Sequence, residues 1–413
     1  MRILAIESSC DETGIAILKT DGIFDGTSPT SEITVLADVL MSQASLHAEY
    51  GGVFPAVARR EHAKNMMPLM MQALAEAGLS RELPTPRILS EIEEETLVKV
   101  LIKEPELFVQ FKKMLLAIEI PNIDAIAVTS GPGLEPALWV GINTAQALSS
   151  LWSIPVIPVN HMEGHIMASL LFSKPEKNGK KILGLSLPEY PSLALLISGG
   201  HTELVLVKDP GTYEILGQTR DDAVGEAFDK VARMLGLSYP GGPEISKLAE
   251  TVAPNTPPLY PLPRPMLKSG DYDFSFAGLK TAVLYTIKKI PELTEEIKAS
   301  IAKEFEDSAT EILVAKTRAA AEEYGVHGII LGGGVTANKK IRGAFKKLVE
   351  EQFPGTALFI PDHHLSTDNG LMIGVVGLMR SSKTEQTIRA DGTMRLAVST
   401  RPTIAELRKK KQE

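Results

Sequence analysis

Two histidines one helical turn apart form the strongest candidate metal-binding pattern in this chain. His161 and His165 lie in the segment NHMEGH, and residues four apart project from the same face of a helix. Their imidazole nitrogens could ligate one ion, although histidines also occur at this spacing by chance. Glu163 follows the first histidine by two positions, so the segment differs from the HExxH pattern of zinc peptidases. We expect Glu163 to point away from the metal face.

A third metal ligand must come from a distant part of the chain. Asp368, in the segment STDNG, is the leading candidate because it lies in a polar loop that opens onto an apolar helical stretch. The same position also suits a helix cap, and the sequence leaves both roles open. Two imidazoles and one carboxylate would leave positions free for a substrate oxygen, an arrangement that suits iron or zinc.

Three glycine-rich segments could approach a nucleotide closely. They are SGGHT at 198–202, YPGGP at 239–243 and GGG at 332–334. Bare backbone amides in tight turns can surround a phosphate, and the third segment also precedes a predicted helix N-terminus. Each segment alone is equally consistent with an ordinary turn, and none is a Walker loop or a dinucleotide fingerprint.

Carboxylates and the single cysteine provide further candidates. Asp222, Glu226 and Asp229 are spaced to share one face of a predicted helix, where like charges repel each other. The stripe is either a solvated face or one that a cation neutralises. Cys10 cannot form an internal disulfide, and it is either a nucleophile or a small residue at the end of a strand.

The elements that must position these residues repeat along the chain. RILAIESS, CDETG and IAILK predict a hairpin at the start, and the strands around SGGHT predict a second hairpin about 190 residues later. Strands then alternate with helical stretches, which predicts a mixed α/β fold built from a duplicated unit. Residues 81–121 predict an inserted pair of amphipathic helices split at Pro105, serving either as a docking surface or as a surface elaboration. Residues 174–191 predict an exposed loop.

The overall charge limits the possible partners. A net charge of −8 over 413 residues argues against a surface that binds nucleic acid unaided. Lysines and arginines at 339–347 and at 408–411 form either solvated faces or an RNA-binding patch. No uncharged apolar run reaches the length of a membrane span, and Arg2 and Glu7 interrupt any signal-peptide pattern. These features predict a soluble, cytoplasmic protein.

Ten motifs, in order, resemble those of the TsaD family, the bacterial branch of a universal family once labelled glycoproteases. The resemblance covers nearly the whole chain apart from the segments 81–121 and 174–191. The motifs are IESSCDETG, HAEYGGVFPAVARREH, TSGPGL, NHMEGH, ISGGHTEL, DDAVGEAFDKVARMLGL, YPGGP, DFSFAGLKT, GGGVTAN and STDNG.

The resemblance implies an actin-like superfold of two duplicated ribonuclease-H-like domains. The halves are expected at 1–160, including the helical insertion, and at 161–413, with the tail returning to the first half. The implied activity is transfer of a threonylcarbamoyl group from threonylcarbamoyl-AMP to the N6 amine of the adenosine 3′ of the anticodon, in tRNAs reading ANN codons. A metallopeptidase and a small-molecule kinase of the same superfold are the alternative enzymes, and a non-catalytic scaffold is a third.

The resemblance also implies specific residues and partners. His161, His165 and Asp368 would ligate one divalent ion per subunit, Fe²⁺ first and Zn²⁺ second, and Asp11 and Glu12 would be catalytic acids beside the phosphates. The implied partners are tRNA, a TsaB-like paralogue, a TsaE-like ATPase and a TsaC-like enzyme that supplies the adenylate; ATP, ADP or AMP would also bind. The implied substrate-binding residues are Leu196, Ile197, Ser198, Gly199, Gly200, Asp229, Gly242 and Asn338.

Overall fold

The computed structural model of the protein describes residues 1–21, 24, 32–381 and 388–397. Its strands are β1 Arg2–Glu7, β2 Glu12–Thr20, β3 Glu32–Ser42, β4 Ala125–Gly131, β5 Val156–Asn160, β6 Leu171–Lys177, β7 Lys180–Leu185, β8 Ser192–Ile197, β9 Thr202–Asp209, β10 Thr212–Gln218, β11 Gly328–Gly332 and β12 Ala357–Phe359. Its α-helices are α1 Ala44–Ala48, α2 Pro55–Glu76, α3 Glu91–Leu101, α4 Pro105–Leu115, α5 Glu135–Trp152, α6 His161–Ser169, α7 Val224–Met234, α8 Gly241–Ala249, α9 Ala277–Lys288, α10 Glu295–Tyr324, α11 Lys339–Gln352, α12 His363–Ser366 and α13 Gly370–Arg380.

The chain divides into two compact units. The first contains Met1–Leu187 and Pro361–Met394, and the second contains Pro188–Ile360 and residues 395–397. The division therefore falls after Leu187, whereas the sequence prediction placed it after residue 160. The difference arises because α6 and the β6–β7 hairpin, which follow residue 160, pack with the first sheet.

The first unit is built on a seven-stranded sheet in the order β5-β4-β1-β2-β3-β7-β6. β1, β2 and β3 are antiparallel neighbours, whereas β4 and β5 run parallel to β1. Both faces of β1 are covered, because every residue from Ile3 to Ile6 is fully buried. α2 and α5 share a core with one face of the sheet, and α13 packs against β1, β2 and β4.

The second unit repeats this arrangement. Its five strands follow the order β10-β9-β8-β11-β12, with β8, β9 and β10 antiparallel and β11 and β12 parallel to β8. The order β10-β9-β8-β11-β12 corresponds strand by strand to β3-β2-β1-β4-β5 of the first unit, so the two units have the same topology. The predicted α/β fold with two duplicated ribonuclease-H-like domains is therefore confirmed, and it is the actin-like superfold.

The helical insertion was also predicted correctly. Ser90 caps α3 because its side chain accepts a hydrogen bond from the amide of Glu93, and the Glu93 carboxylate accepts one from the amide of Ser90. Pro105 occupies the first turn of α4, where its missing N–H leaves no backbone bond unmade. Leu97 and Phe111 bury one face of each helix against the first core.

The prediction of a loop at 174–191 was wrong over most of its length. β6 and β7 form a hairpin that pairs with β3 at the edge of the sheet. Asn178 and Gly179 turn the hairpin with φ values of 53° and 70°, the backbone that an Asn-Gly turn favours. The Asn-Gly pair was the sequence signal for this hairpin.

None of the described helices has the length and apolar content needed to cross a membrane.

Candidate metal centre and active site

The two histidines are presented by the first turn of α6. Asn160 ends β5 and caps the helix, because its side-chain oxygen accepts hydrogen bonds from the amides of Met162 at 2.9 Å and Glu163 at 3.3 Å. The rings of His161 and His165 lie 4.7 Å apart at an angle of 83°. The cap therefore fixes where the helix starts and, with it, which face carries the imidazoles.

Asp368 reaches the same point from the other end of the chain. Its Oδ1 lies 3.4 Å from Nε2 of His161 and 3.2 Å from Nε2 of His165, and the three candidate ligand atoms lie within 4.8 Å of one another. Two ligands held about 2.1 Å from one ion at about 90–110° are about 3.0–3.4 Å apart, so the distances from Asp368 to the two histidines fit a shared ion. Asn369, and not Asp368, caps α13 by accepting from the amide of Met372 at 3.0 Å. The alternative role of Asp368 as a cap is thereby excluded.

Glycine allows the helices that carry these ligands to pack closely. A Cβ at Gly164 of α6 would lie 3.2 Å from Cγ of Met372 in α13. A Cβ at Gly370 would lie 2.7 Å from the backbone nitrogen of Ala16 in β2, a contact that a real side chain cannot make. The loop with Asp368 is held at the metal centre by this close seating of α13 on the sheet.

Glu163 points away from the histidines, as predicted. Its Oε2 lies 2.5 Å from Nη2 of Arg380 at the end of α13, and the Glu163 side chain is buried. This pair links α6 to α13 on the side opposite the candidate ligands. Glu163 is therefore not placed as a base beside a metal.

Glu7 supports His161 from behind, and the sequence interpretation did not include it. Its Oε2 lies 3.2 Å from Nδ1 of His161, and Ser9 Oγ lies at the same distance from that nitrogen. The Ser9 amide donates to Oε1 of Glu7 at 2.6 Å, and the hydroxyl of Thr129 donates to Oε2. A proton on Nδ1 directed at Glu7 leaves Nε2 free to ligate an ion. The sequence signal was a carboxylate directly after the apolar run Ile3–Ile6, and this carboxylate is fully buried in the structure.

The electrostatics of the centre favour a cation. Burial disfavours a charged imidazole, but Asp368 and Glu7 together raise the pKa of His161 well above its ordinary value. Burial likewise opposes ionisation of Asp368, but His161 and His165 lower the pKa of that carboxyl. His165 is 1% exposed, and neither of its ring nitrogens makes a hydrogen bond within the described residues. A metal ion would satisfy the buried Nε2, so these residues fit the ion that the sequence predicted.

The turn carrying Asp11 and Glu12 is tied down by a second buried histidine. Nε2 of His62 lies 3.0 Å from the carbonyl of Cys10, and its Nδ1 lies 2.7 Å from the hydroxyl of Thr13. A carbonyl only accepts, so Nε2 carries the proton and Nδ1 accepts from Thr13. Burial lowers the pKa of His62 and keeps the ring neutral. His62 therefore holds the acidic turn through hydrogen bonds to Cys10 before it and Thr13 after it. The sequence interpretation missed this role.

The acidic turn lies within the electrostatic reach of the metal centre. Burial first, and then the charges of Asp11 and Asp368, raise the pKa of Glu12 to about 9. Burial and the same carboxylates raise the pKa of the Cys10 thiol well above its ordinary value. A thiol that stays protonated is a poor nucleophile, so the structure favours the strand-end role for Cys10.

In the second unit, two of the glycine segments follow neighbouring parallel strands. The turn after β8 is closed by the amide of Ser198, which donates to the carbonyl of His201 at 2.9 Å, and a Cβ added at Gly199 or Gly200 would meet nothing within 4 Å. After β11, Gly333 has a φ of 93°, and its Cβ would lie 2.4 Å from the carbonyl oxygen of Ile197. Both turns therefore meet at the carboxyl end of the sheet, where open α/β sheets bind ligands.

The predicted carboxylate stripe is not a single helix face. α7 begins at Val224, so Asp222 lies in the preceding turn, where it accepts from Lys230 at 2.9 Å and from Lys280 at 2.7 Å. The cation that the stripe required is therefore supplied by these two lysines. Oδ1 of Asp229 instead accepts from the amide of Gly241 at 2.7 Å and holds the YPGGP segment at the start of α8.

Besides Asp229, three more of the predicted substrate-binding residues have side chains that are already buried or hydrogen-bonded within the protein. Leu196 and Ile197 are fully buried in β8, so only their backbone could face a ligand. Asn338 caps α11 by accepting from the amide of Ile341 at 3.0 Å, and its Nδ2 donates to Glu306 at 2.7 Å. That these segments bind the substrate stays a prediction, and the structure shows only which of their side chains already have partners within the protein.

The basic residues near α11 are largely neutralised. Lys339 pairs with Glu250 at 3.1 Å, and Lys340 pairs with Asp307 at 2.6 Å. This pairing favours a solvated helix face over an RNA-binding patch. The second basic cluster, at 408–411, lies outside the described residues.

Comparison with known proteins shows which family this chain resembles. Proteins named tRNA N6-adenosine threonylcarbamoyltransferase from Burkholderia ambifaria and Burkholderia mallei are each 41% identical to this chain; the alignment covers 95% of both chains for the first and 93% of both for the second. Among solved structures, a ROK hexokinase from Thermus thermophilus aligns over 92% of this chain and 99% of its own, with 11% identity and a TM-score of 0.42. The family model described as TsaD, tRNA N6-adenosine threonylcarbamoyltransferase, matches residues 34–84 and 109–375, and this chain belongs to that family.

Proposed function

We propose that this protein transfers the threonylcarbamoyl group from threonylcarbamoyl-AMP to N6 of the adenosine 3′ of the anticodon in tRNAs reading ANN codons. The product is N6-threonylcarbamoyladenosine, or t6A. The observation that carries the proposal is the convergence of His161, His165 and Asp368 in a chain of the TsaD family. Membership of the family supplies the reaction class, and the convergence supplies a centre at which it can occur.

The metal centre is proposed to hold one divalent ion through Nε2 of His161, Nε2 of His165 and a carboxylate oxygen of Asp368. Mixed imidazole and carboxylate donors suit Fe²⁺ or Zn²⁺, and we propose Fe²⁺ first. When bound, such an ion would supply a positive charge that binds and polarises a substrate oxygen. Glu7 would keep the His161 ring oriented for this role through its contact with Nδ1.

The glycine turns of the second unit are proposed to bind the adenylate through their backbone. The space beside Gly199 and Gly200, in the turn after β8, is open, and so is the space beside Gly242 in the first turn of α8. The turns after β8 and β11 end neighbouring strands of one sheet. Asp229 and Asn338 would act indirectly by fixing the segments around Gly241 and α11, because their side chains already make hydrogen bonds within the protein.

In the proposed reaction, the N6 amine attacks the carbamoyl carbon and forms the new C–N bond. The bond from that carbon to the phosphate oxygen breaks, and AMP leaves with the electron pair. The amine is a weak base, so its proton must pass late to Asp11 or to a water molecule that Asp11 holds. Glu12, whose pKa is about 9, is protonated near neutral pH and would donate a hydrogen bond rather than accept the proton. Positioning and charge stabilisation would provide most of the rate.

We propose that the protein works in the cytoplasm with tRNA, a TsaB-like paralogue and a TsaE-like ATPase, on adenylate made by a TsaC-like enzyme. The net charge of −8 and the pairing of the basic α11 residues agree with a need for help in holding RNA. A metallopeptidase is not favoured, since the Glu163 carboxylate is paired with Arg380 and not aimed at the ion.

The test is complementation of a bacterial strain depleted of its own t6A transferase, followed by mass spectrometry of the tRNA nucleosides. We expect the wild-type chain to restore t6A and His161→Ala to restore none. His363→Ala, which removes an exposed histidine outside the centre, should restore t6A fully and serves as the matched control. Purified chain that forms no t6A from threonylcarbamoyl-AMP and tRNA with the three partner proteins present would contradict the proposal.

A further inference from the structure

The outer face of the inserted helix α3 combines exposed apolar side chains with charged ones. Ile92 is 77% exposed and Ile102, which directly follows the helix, is 72% exposed. Their helix is seated in the first unit by Leu97 and Leu101, which are buried. These two side chains would be removed from water if a second helix covered this face, and burial of apolar surface favours association.

The charges on this face follow a gradient along the helix. Glu91 and Glu95 lie in its first half, and Lys99 and Lys103 lie at its end and just beyond. None of these four makes an ion pair within the described part of the chain, although the neighbouring Glu94 pairs with Lys112. At 100° per residue, the four charges and the two isoleucines fall within an arc of about 120°, opposite Leu97 and Leu101.

This pattern is complementary to itself when the helix is reversed. Two copies of α3 placed antiparallel about a two-fold axis level with Leu97 bring Glu91 opposite Lys103, Glu95 opposite Lys99, and Ile92 opposite Ile102 of the second copy. A parallel pair in register would instead place like charges together. We propose that α3 is a homodimerisation surface that pairs antiparallel with α3 of a second copy of this chain.

The proposed interface has the features of a two-fold contact. A two-fold axis requires one surface to complement itself, and this surface does so in both charge and apolar residues. It lies between the two segments that the TsaD family model matches, so it is a feature added to the family's common frame. A single helix pair buries less area than a standard stable interface, so the dimer is expected to be weak, with a Kd on the order of micromolar or above.

The experiment is sedimentation velocity of the full chain from about 1 to about 200 µM, a range that brackets a weak dimer. We expect the wild type to shift from monomer to dimer across this range. Glu91→Lys/Glu95→Lys and Lys99→Glu/Lys103→Glu should each weaken self-association at least about tenfold, because every cross-pair becomes a like-charge pair. An equimolar mixture of the two variants restores opposite charges and should dimerise like the wild type.

Two controls distinguish a specific loss of dimerisation from a general loss of folding. Glu350→Lys reverses an exposed charge on α11 and should leave dimerisation unchanged. Thermal unfolding of each variant should match the wild type, because the changed side chains are exposed. A wild type that stays monomeric, variants that dimerise as the wild type does, or a mixture that remains monomeric would each overturn the proposal.

Discussion

The metal centre of the first unit and the glycine turns of the second unit are built in opposite ways. The centre depends on side chains: three candidate ligands converge from α6 and from the loop before α13, and Glu7 contacts Nδ1 of one of them, His161. The turns depend on backbone and open space: Gly199 and Gly200 face nothing within 4 Å, while nearby side chains are committed to holding the loops. The first region should fail when functional groups are removed, and the second when atoms are added.

Removal of a candidate metal ligand should have the largest effect on the first region. His161→Ala should abolish stoichiometric metal binding and reduce transfer by at least about 100-fold, since a missing ligand exceeds the effect of losing a supporting residue. Metal content by mass spectrometry and t6A formation in vitro measure both. Activity retained in metal-free His161→Ala would exclude a catalytic role for the ion.

Substitutions of the two carboxylates in the acidic turn, Asp11 and Glu12, should change the transfer rate by different amounts. Asp11→Asn should lower the transfer rate by about 100–10,000-fold if Asp11 receives the amine proton. Glu12→Gln should change it by less than about tenfold at neutral pH, because Glu12 is protonated there and the amide resembles the acid. Single-turnover rates with preformed threonylcarbamoyl-AMP measure both. Wild-type turnover by Asp11→Asn would remove that role.

The contribution of Glu7 should appear in metal affinity. Glu7→Gln keeps the size of the side chain but removes the negative charge beside Nδ1 of His161, and affinity should fall by about 10–100-fold. Competition with a chelator measures the dissociation constant without reference to activity. Thr129→Val, which removes one donor to Glu7, should have a smaller effect in the same direction. Unchanged affinity in Glu7→Gln would show that the contact does not support the ion.

The glycine turns should respond to an added methyl group. Gly200→Ala should leave the melting temperature nearly unchanged, because its Cβ meets nothing, but should weaken AMP binding by about tenfold if the turn surrounds the phosphate. Gly370→Ala is the contrasting variant, because its Cβ would lie 2.7 Å from a backbone nitrogen, and it should destabilise the fold by about 1–3 kcal/mol. Unaltered AMP affinity in Gly200→Ala, measured by calorimetry, would place the nucleotide elsewhere.

The raised pKa of Glu12 also predicts that the stability of the metal-free protein depends on pH. The pKa of Glu12 is about 9 in the folded chain against an ordinary value of 4.5, so the folded state holds the proton more tightly than the unfolded state. This contribution to stability is present below pH 4.5 and is lost as the pH rises towards 9. Glu12→Gln does not titrate, so the melting temperature of the metal-free variant should decline less across this range. If the melting temperatures of the wild type and Glu12→Gln declined equally over this pH range, the raised pKa of Glu12 would be contradicted.

The sequence predicted best where local pattern and fold agree. The two hairpins, the duplicated α/β unit and the inserted helices follow from strand alternation, helical spacing and Pro105, all of which are local signals. The convergence of Asp368 with the α6 histidines was predicted from resemblance, since no local pattern joins residues about 200 positions apart.

The features that the sequence did not predict correctly share a physical cause. Glu7 and His62 have roles that depend on partners distant in sequence, and a buried carboxylate or imidazole carries no spacing signal for them. Asp222 was assigned to a helix that starts two residues later, because helix boundaries are set by capping contacts as much as by periodicity. The β6–β7 hairpin was missed because its Asn-Gly turn lies among charged residues that resembled a loop.

The return of residues 361–394 to the first unit has a consequence for the order of assembly. During synthesis, the histidines of α6 leave the ribosome about 200 residues before Asp368, and α13, which lies against the middle of the first sheet, follows still later. A nascent or truncated chain that ends before this segment lacks both a layer of its first domain and one of the three candidate ligands. Binding of an ion by all three candidate ligands therefore requires a chain that has been made at least as far as Asp368.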